Sequence, residues 1–259
     1  MTNELEVAVA AAAAAGQVLR DRFGQRLDVQ YKGEVDLVTE ADEKAEQTIK
    51  EALQEAFPTY GMLAEEGGSL TGEGESRWIV DPLDGTTNYA HGLPIFAVSI
   101  ALERAGQVIL GVVHDPMAQE TYVAERGGGA TLNGQPIGVS DTDELIRALL
   151  ATGFPYDRDD LPAVVDLFGR FAVLTQSMRR LGSAALDMCY VAAGRLDGYY
   201  ERGIKAWDIA AGCLILEEAG GKITDYGGHE LHLERGEVVA SNGPLHPDLV
   251  RVTSEYRAY

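Results

Sequence analysis

The chain has 259 residues, 46% of them hydrophobic, so it can bury the core of one large domain or of two joined halves, and wholesale disorder is excluded. It carries 41 acidic against 21 basic residues, a net charge of −20. Such a surface repels nucleic acid and anionic membranes, and a phosphate ester would approach it only where the site recruits cations.

The first stretch, MTNELEVAVAAAAAAGQVLRDRFG, is alanine-rich and has Glu4 and Glu6 where an export signal would be basic, so it predicts an amphipathic helix. No segment has the roughly 20 uninterrupted apolar residues that cross a bilayer, which makes the cytoplasm the expected compartment. Thr39-Glu40-Ala41-Asp42 has the spacing of a capping box, with Asp in place of the usual Glu. Ala45, Ile49, Leu53 and Phe57 then recur at helical spacing, and Pro58 closes the helix. After TYGMLAEEGG and a polar loop comes Trp78-Ile79-Val80, an apolar strand ending at Asp81.

PIFAVSIALERAGQVILGVVHDP reads as two strands joined at Arg104-Ala105-Gly106, and ETYVAERGGGATLNGQPIGVS as shorter strands with Gly and Asn-Gly turns. The Gly127–Gly129 run is a hairpin turn, because no Gly-Lys-Ser/Thr follows to make it a phosphate loop. From Asp141 helices and strands alternate, with one helix around 162–175 and another beginning at the Trp207-Asp208 step. Gly220-Gly221 ends that last helix. Cys189 and Cys213 sit among apolar residues and are expected in the core, forming neither a disulfide framework nor a zinc set. The order implies an α+β chain with α/β layering, divided into an N-terminal half, 1–140, and a C-terminal half, 141–259, packed as one unit.

The chemistry concentrates in Asp81-Pro82-Leu83-Asp84-Gly85-Thr86-Thr87. Proline removes a ladder donor and turns the chain out of the sheet, so that two carboxylates and the Leu83 carbonyl can face one small volume. Carboxylates that close repel each other, and a hard divalent cation with oxygen ligands, Mg²⁺ above all, resolves the conflict. The Gly-Thr-Thr that follows exposes backbone N–H groups suited to an anion. Two more acidic points stand apart in sequence: Glu65-Glu66 at the end of a short apolar run, and Asp208 at the mouth of a helix. Taken singly, each has a plain structural reading: turn aspartates with a threonine cap, a solvated loop, and an N-cap.

Together, GMLAEEGG, WIVDPLDGTTNYAHGLPIFAVSIAL and KAWDIAAGCLILEEAGGKITD resemble the inositol monophosphatase family of metal-dependent, lithium-sensitive phosphatases, over nearly the whole chain from YKGEVDLVTEAD onward. The resemblance implies the alternating αβαβα sandwich that this family shares with fructose-1,6-bisphosphatase. It implies two or three Mg²⁺, Li⁺ as an inhibitor, and a homodimer acting on a small phosphate ester. Glu65, Asp81, the Leu83 carbonyl, Asp84 and Asp208 match the metal ligands, and Gly85, Thr86 and Thr87 match the phosphate-binding segment. Thr86, paired with Asp36, would orient the attacking water together with Glu65. Lys32, Gly182, Ser183, Ala184 and Glu201 match positions on the substrate side, while Asp187, Asp197 and His91 are read as structural.

Thr87 stands where the nucleotide-bisphosphate and histidinol-phosphate branches carry lysine, so the resemblance points to inositol 1-phosphate as substrate. A broader sugar or nucleotide phosphatase (fructose 1,6-bisphosphate, histidinol phosphate or phosphoadenosine phosphate) is the alternative. A second, of another class, is a regulatory partner of the transcription machinery, since some bacterial relatives act in that way.

Overall fold

The computed structural model describes residues 2–25, 29–31, 37–155 and 157–256. Helices α1 (Asn3–Arg22) and α2 (Glu40–Ala56) lie side by side, and a short ribbon, β1 (Val29–Tyr31) with β2 (Leu37–Thr39), runs between them in sequence. The capping box forms as expected: Asp42 Oδ2 accepts from the Thr39 N–H at 2.9 Å, and the Thr39 hydroxyl accepts from the Ala41 N–H. Ala45, Ile49 and Leu53 are fully buried along the inner stripe of α2.

Strands β3 (Gly61–Ala64), β4 (Gly68–Leu70), β5 (Ser76–Asp84), β6 (Ala97–Arg104), β7 (Gln107–Asp115), β8 (Glu120–Glu125), β9 (Ala130–Leu132) and β10 (Gln135–Pro136) form one mixed sheet, in the order β10-β9-β8-β7-β6-β5-β3-β4. A short helix, α3 (Thr86–Ala90), leaves the end of β5. The hairpin between β6 and β7 turns at Ala105 and Gly106, both with positive φ, as the sequence predicts. The Gly127–Gly129 turn is held by the carboxylate of Glu218, which accepts from the N–H groups of Gly127 and Gly129 at 2.7 and 2.8 Å.

A second sheet follows: β11 (Leu149–Thr152), β12 (Ser177–Arg179), β13 (Gly198–Arg202), β14 (Lys222–Thr224) and β15 (Glu237–Ser241), ordered β12-β11-β13-β15-β14. Between these strands run α4 (Leu161–Leu174), α5 (Ala184–Ala192) and α6 (Ala206–Glu218), and α7 (His246–Thr253) closes the described chain together with a final 3₁₀ turn. The LIRALLATG segment contributes a 3₁₀ turn and then strand β11.

Five layers result, and the period of two along each strand explains them. On the first sheet Trp78, Val80, Val98, Ile100 and Leu102 pack against α1 and α2, while Ile79, Ala97 and Ala101 face α5 and α6. On the second, Ala151, Tyr199 and Val238 face the same central helices, and Leu150, Tyr200 and Val239 face α4 and α7. The helices α5 and α6 are therefore apolar almost all round, and both cysteines are buried there with free thiols. This is the expected αβαβα sandwich. Among the described residues no helix is long and apolar enough to cross a membrane.

Candidate active site

The site lies where β3, β5 and β13 end and α5 and α6 begin around one cleft. Its walls include Glu65, Asp81, Leu83, Asp84, Gly85, Thr86 and Asp208. Asp81 and Asp84 are three residues apart, a separation that on a regular strand would set them on opposite faces. The pairing of β5 with β6 slips by one residue between them, from Asp81↔Ser99 to Asp84↔Ala97. The extra residue falls at Pro82-Leu83, where proline has no N–H to lose, and it restores the parity that turns both carboxylates to the cleft.

Glu65 comes from the loop after β3, which runs parallel to β5 in the register Ala64↔Val80, so it arrives beside Asp81. Asp208 comes from the opposite side, on the first turn of α6. It is not the N-cap that its position suggested: Lys205 holds that place, and Asp208 Oδ2 accepts the Lys205 N–H at 2.8 Å. Each aspartate commits one oxygen to the protein. Asp81 Oδ1 accepts from the Leu83 N–H at 2.9 Å, and Asp84 Oδ2 accepts from the Ser183 hydroxyl at 2.5 Å and the Ala185 N–H at 2.8 Å.

The electrostatics are those of like charges crowded together. Burial pushes Asp81 well above the usual carboxylate range, and the charges of Glu65, Asp84 and Asp208 push it further, against the opposing Leu83 N–H. Burial raises Asp84 to about 6, with the Ser183 hydroxyl and the Ala185 N–H opposing. Asp208 is pushed well up by the protein around it and by Asp84. Four carboxylates and a carbonyl oxygen that destabilise each other's charge form a donor set suited to hard divalent cations. Among the described residues the side chains are not drawn together into a closed cage: no three His, Cys, Asp or Glu groups stand close enough to hold an ion as they are. The donor set fits Mg²⁺ in kind.

Gly85 links β5 to α3 with φ of +99°, and a Cβ there would lie 2.9 Å from the Ile95 carbonyl oxygen, so only glycine turns the chain at this point. Gly85 and Thr86 line the cleft, whereas the Thr87 side chain is exposed and outside it. The buried Thr86 hydroxyl donates toward the Leu83 carbonyl at 3.0 Å and Asp42 Oδ1 at 3.1 Å. Asp36, which the family resemblance pairs with Thr86, lies outside the described residues, as does Lys32. Asp42 was read only as a helix cap; the missed signal is that a capping carboxylate spends one oxygen and has a second to offer. Burial raises Asp42 to about 6, against the hydrogen bonds from Thr39.

Gly182, Ser183, Ala184 and Glu201 line the same cleft. The Ser183 side chain is buried and serves Asp84 and the first turn of α5, where its oxygen accepts the Leu186 N–H. Asn88, also missed, donates to the Ile95 and Leu181 carbonyls at 2.9 and 2.7 Å and so ties the loop before α5 to the one before β6. Burial raises Glu201 to about 7, while the Tyr199 hydroxyl, which donates to it, and the Arg180 charge act the other way. Asp187 lines the cleft too, nearly fully buried, with an Oδ1 that meets no donor among the described residues. Asp197 is structural as read, accepting from Ser140 and the Leu149 N–H.

A five-layer sandwich with a carboxylate-lined cleft at the strand ends is the frame of a phosphatase. A sequence profile described as the inositol monophosphatase family matches residues 1–258, and the chain belongs to that family. It is 46% identical over 256 residues to an inositol-1-monophosphatase of Mesorhizobium japonicum, covering 97% of this chain and 96% of that one. It is 46% identical over 251 residues to the Nus factor SuhB of Pseudomonas aeruginosa, covering 93% and 92%. Among solved structures, the extragenic suppressor protein suhB of Bartonella henselae superposes with a TM-score of 0.95 at 40% identity, over 98% of this chain and 99% of that one. The inositol monophosphatase of Anabaena superposes with a TM-score of 0.88 at 45% identity, over 97% and 95%.

Proposed function

We propose that this phosphatase hydrolyses phosphate monoesters of polyols, with inositol 1-phosphate as its principal substrate and Mg²⁺ as its cofactor. The observation that carries this reading is the convergence of Glu65, Asp81, Asp84 and Asp208 with Gly85 and Thr86 on one cleft that Glu201 also lines. Glu65, Asp81, Leu83, Asp84 and Asp208 would hold the ions. Bound Mg²⁺ supplies positive charge that neutralises the phosphoryl oxygens and acidifies the attacking water.

The chain's own residues do the rest. The N–H groups at Gly85 to Thr87, at the start of α3, bind the phosphate. The Thr86 hydroxyl, donating to Asp42 and to the Leu83 carbonyl, offers its lone pairs to a water and sets that water's orientation. Glu65, on the same wall, takes the proton the water loses. Ser183 and the Ala185 N–H fix Asp84, and the Lys205 N–H fixes Asp208, so neither carboxylate must reorganise as charge moves to the leaving oxygen. Glu201 accepts hydroxyl hydrogens of the departing alcohol.

The test is phosphate release from inositol, glycerol, hexose and nucleoside phosphates, with and without Mg²⁺ and Li⁺. Mg²⁺-dependent release that is fastest with inositol 1-phosphate is the expected result; release that ignores Mg²⁺, or favours nucleotides, overturns the reading. The relatives named Nus factors favour a second, additional role as a partner of the transcription machinery. Co-sedimentation of an inactive Asp84→Asn protein with a transcription complex tests it. A homodimer, proposed from the family, is tested by sedimentation velocity.

A further inference from the structure

We propose that Gly153 is a positioning residue that determines specificity: its bare backbone makes room for the Glu201 carboxylate at the place where the substrate's hydroxyls meet it. The inference rests on the preceding reading that Glu201 faces the alcohol part of the ester.

Strands β11 and β13 run parallel, with Ala151 opposite Tyr199 and Thr152 opposite Tyr200. The Thr152 hydroxyl donates to the Tyr200 carbonyl at 2.6 Å, so the two strands stay locked to their ends, and the next residues in register are Gly153 and Glu201. A Cβ built on Gly153 would lie 2.0 Å from Glu201 Oε2 and 2.1 Å from both Cδ and Oε1. Near-equal distances to three carboxylate atoms mean that the group lies flat on the glycine. Nothing else is within 4 Å closer than these atoms, and the Gly153 φ lies outside the left-handed region, so backbone strain does not dictate glycine here.

The same segment is pressed onto the chain just past β13 two residues further on, where a Cβ on Gly203 would lie 2.8 Å from the Pro155 Cβ. On its other side Glu201 takes a hydrogen bond from the Tyr199 hydroxyl. The carboxylate is therefore pinned between a tyrosine hydroxyl and a glycine. A methyl group at 153 would displace it by about an ångström or more, enough to break a hydrogen bond to a substrate hydroxyl. The obstructing atoms are the end of a side chain, which can swing away, so the fold survives the substitution while the recognition does not.

Gly153→Ala is compared with wild type for three quantities: KM and kcat on inositol 1-phosphate, and Ki for inorganic phosphate, which has no alcohol part. The expected result is a KM raised about ten- to hundredfold, the worth of one hydrogen bond to a charged group. kcat stays within about threefold, since the lost interaction is shared by ground and transition states, and Ki within about twofold, since phosphate does not reach Glu201. In a Glu201→Asp background the shorter side chain no longer reaches the glycine, and Gly153→Ala then adds nothing. An unchanged KM, a parallel rise in Ki, an effect that persists in the Glu201→Asp background, or a protein that no longer melts cooperatively each overturns the proposal. A wild-type enzyme that hydrolyses other esters and no polyol phosphate overturns the polyol reading itself, and this inference with it.

Discussion

The Thr86 hydroxyl lies 3.1 Å from Asp42 Oδ1, and the other oxygen of that carboxylate caps α2 through Thr39. One side chain thus joins the start of α2 to the start of α3, and the position of Thr86, which we propose orients the attacking water, depends on a residue that looks like a local cap. Asp42→Asn keeps an oxygen for the cap and turns an NH₂ toward Thr86, which reverses the polarity of that hydrogen bond. We expect kcat to fall about a hundredfold with KM little changed, as when an interaction made in the transition state is removed. Asp42→Asn combined with Thr86→Ala should cost no more than the larger single loss, measured as a double-mutant cycle. Asp36→Asn tests the pairing of Thr86 with Asp36 that the family resemblance implies: a comparable loss of turnover supports it, and near wild-type turnover removes it.

Asp208 is surrounded by protein and pushed up by Asp84, so its charge works against the fold unless a cation is bound. Asp208→Asn preserves the acceptor for the Lys205 N–H and removes the charge. Turnover should fall by about two orders of magnitude or more. The metal-free protein should meanwhile melt a few degrees higher, about 2 °C for each kcal/mol relieved. Added Mg²⁺ should raise the melting temperature of wild type and do so much less in the variant, read by calorimetry. A wild type whose melting temperature does not respond to Mg²⁺ would remove the ions from this cleft.

Much of this site is legible before folding, for reasons that particular residues make plain. The apolar Trp78-Ile79-Val80 run and the proline after Asp81 define a buried strand that ends in charge, and the five layers follow from alternation along β5, β6 and β13. The convergence of Glu65 and Asp208 on that strand end is legible only through the family motifs, because nothing local in either segment points across the molecule. Asp42 was missed because the capping box already explains it. Gly153 was missed because its demand comes from Glu201, 48 positions away across a parallel register that no short-range pattern encodes. The N-cap reading of Asp208 failed by three residues, for the backbone turns into α6 at Lys205 and the carboxylate reaches back to it.

His246 gives a stability effect separate from catalysis. It is buried between the Thr224 and Ser241 hydroxyls, each 2.9 Å from a ring nitrogen, and burial with the nearby Lys222 charge holds its pKa at about 4. In the unfolded chain the ring titrates near its ordinary value of about 6.5. Between those two values the unfolded state binds a proton that the native state refuses, so stability falls as pH drops through the window and is fully present above it. The raised carboxylates Asp42 and Asp84 act with opposite sign, since their native forms take up protons first as pH falls toward 6. The comparison must therefore be made against a variant. His246→Gln retains a donor and an acceptor for the two hydroxyls and does not titrate. Wild type should lose about 2 kcal/mol more than His246→Gln between about pH 7 and pH 4, or about 4 °C in melting temperature. Thermal melts of the two proteins that stay parallel across that range would show that His246 is protonated, or solvated, in the native state.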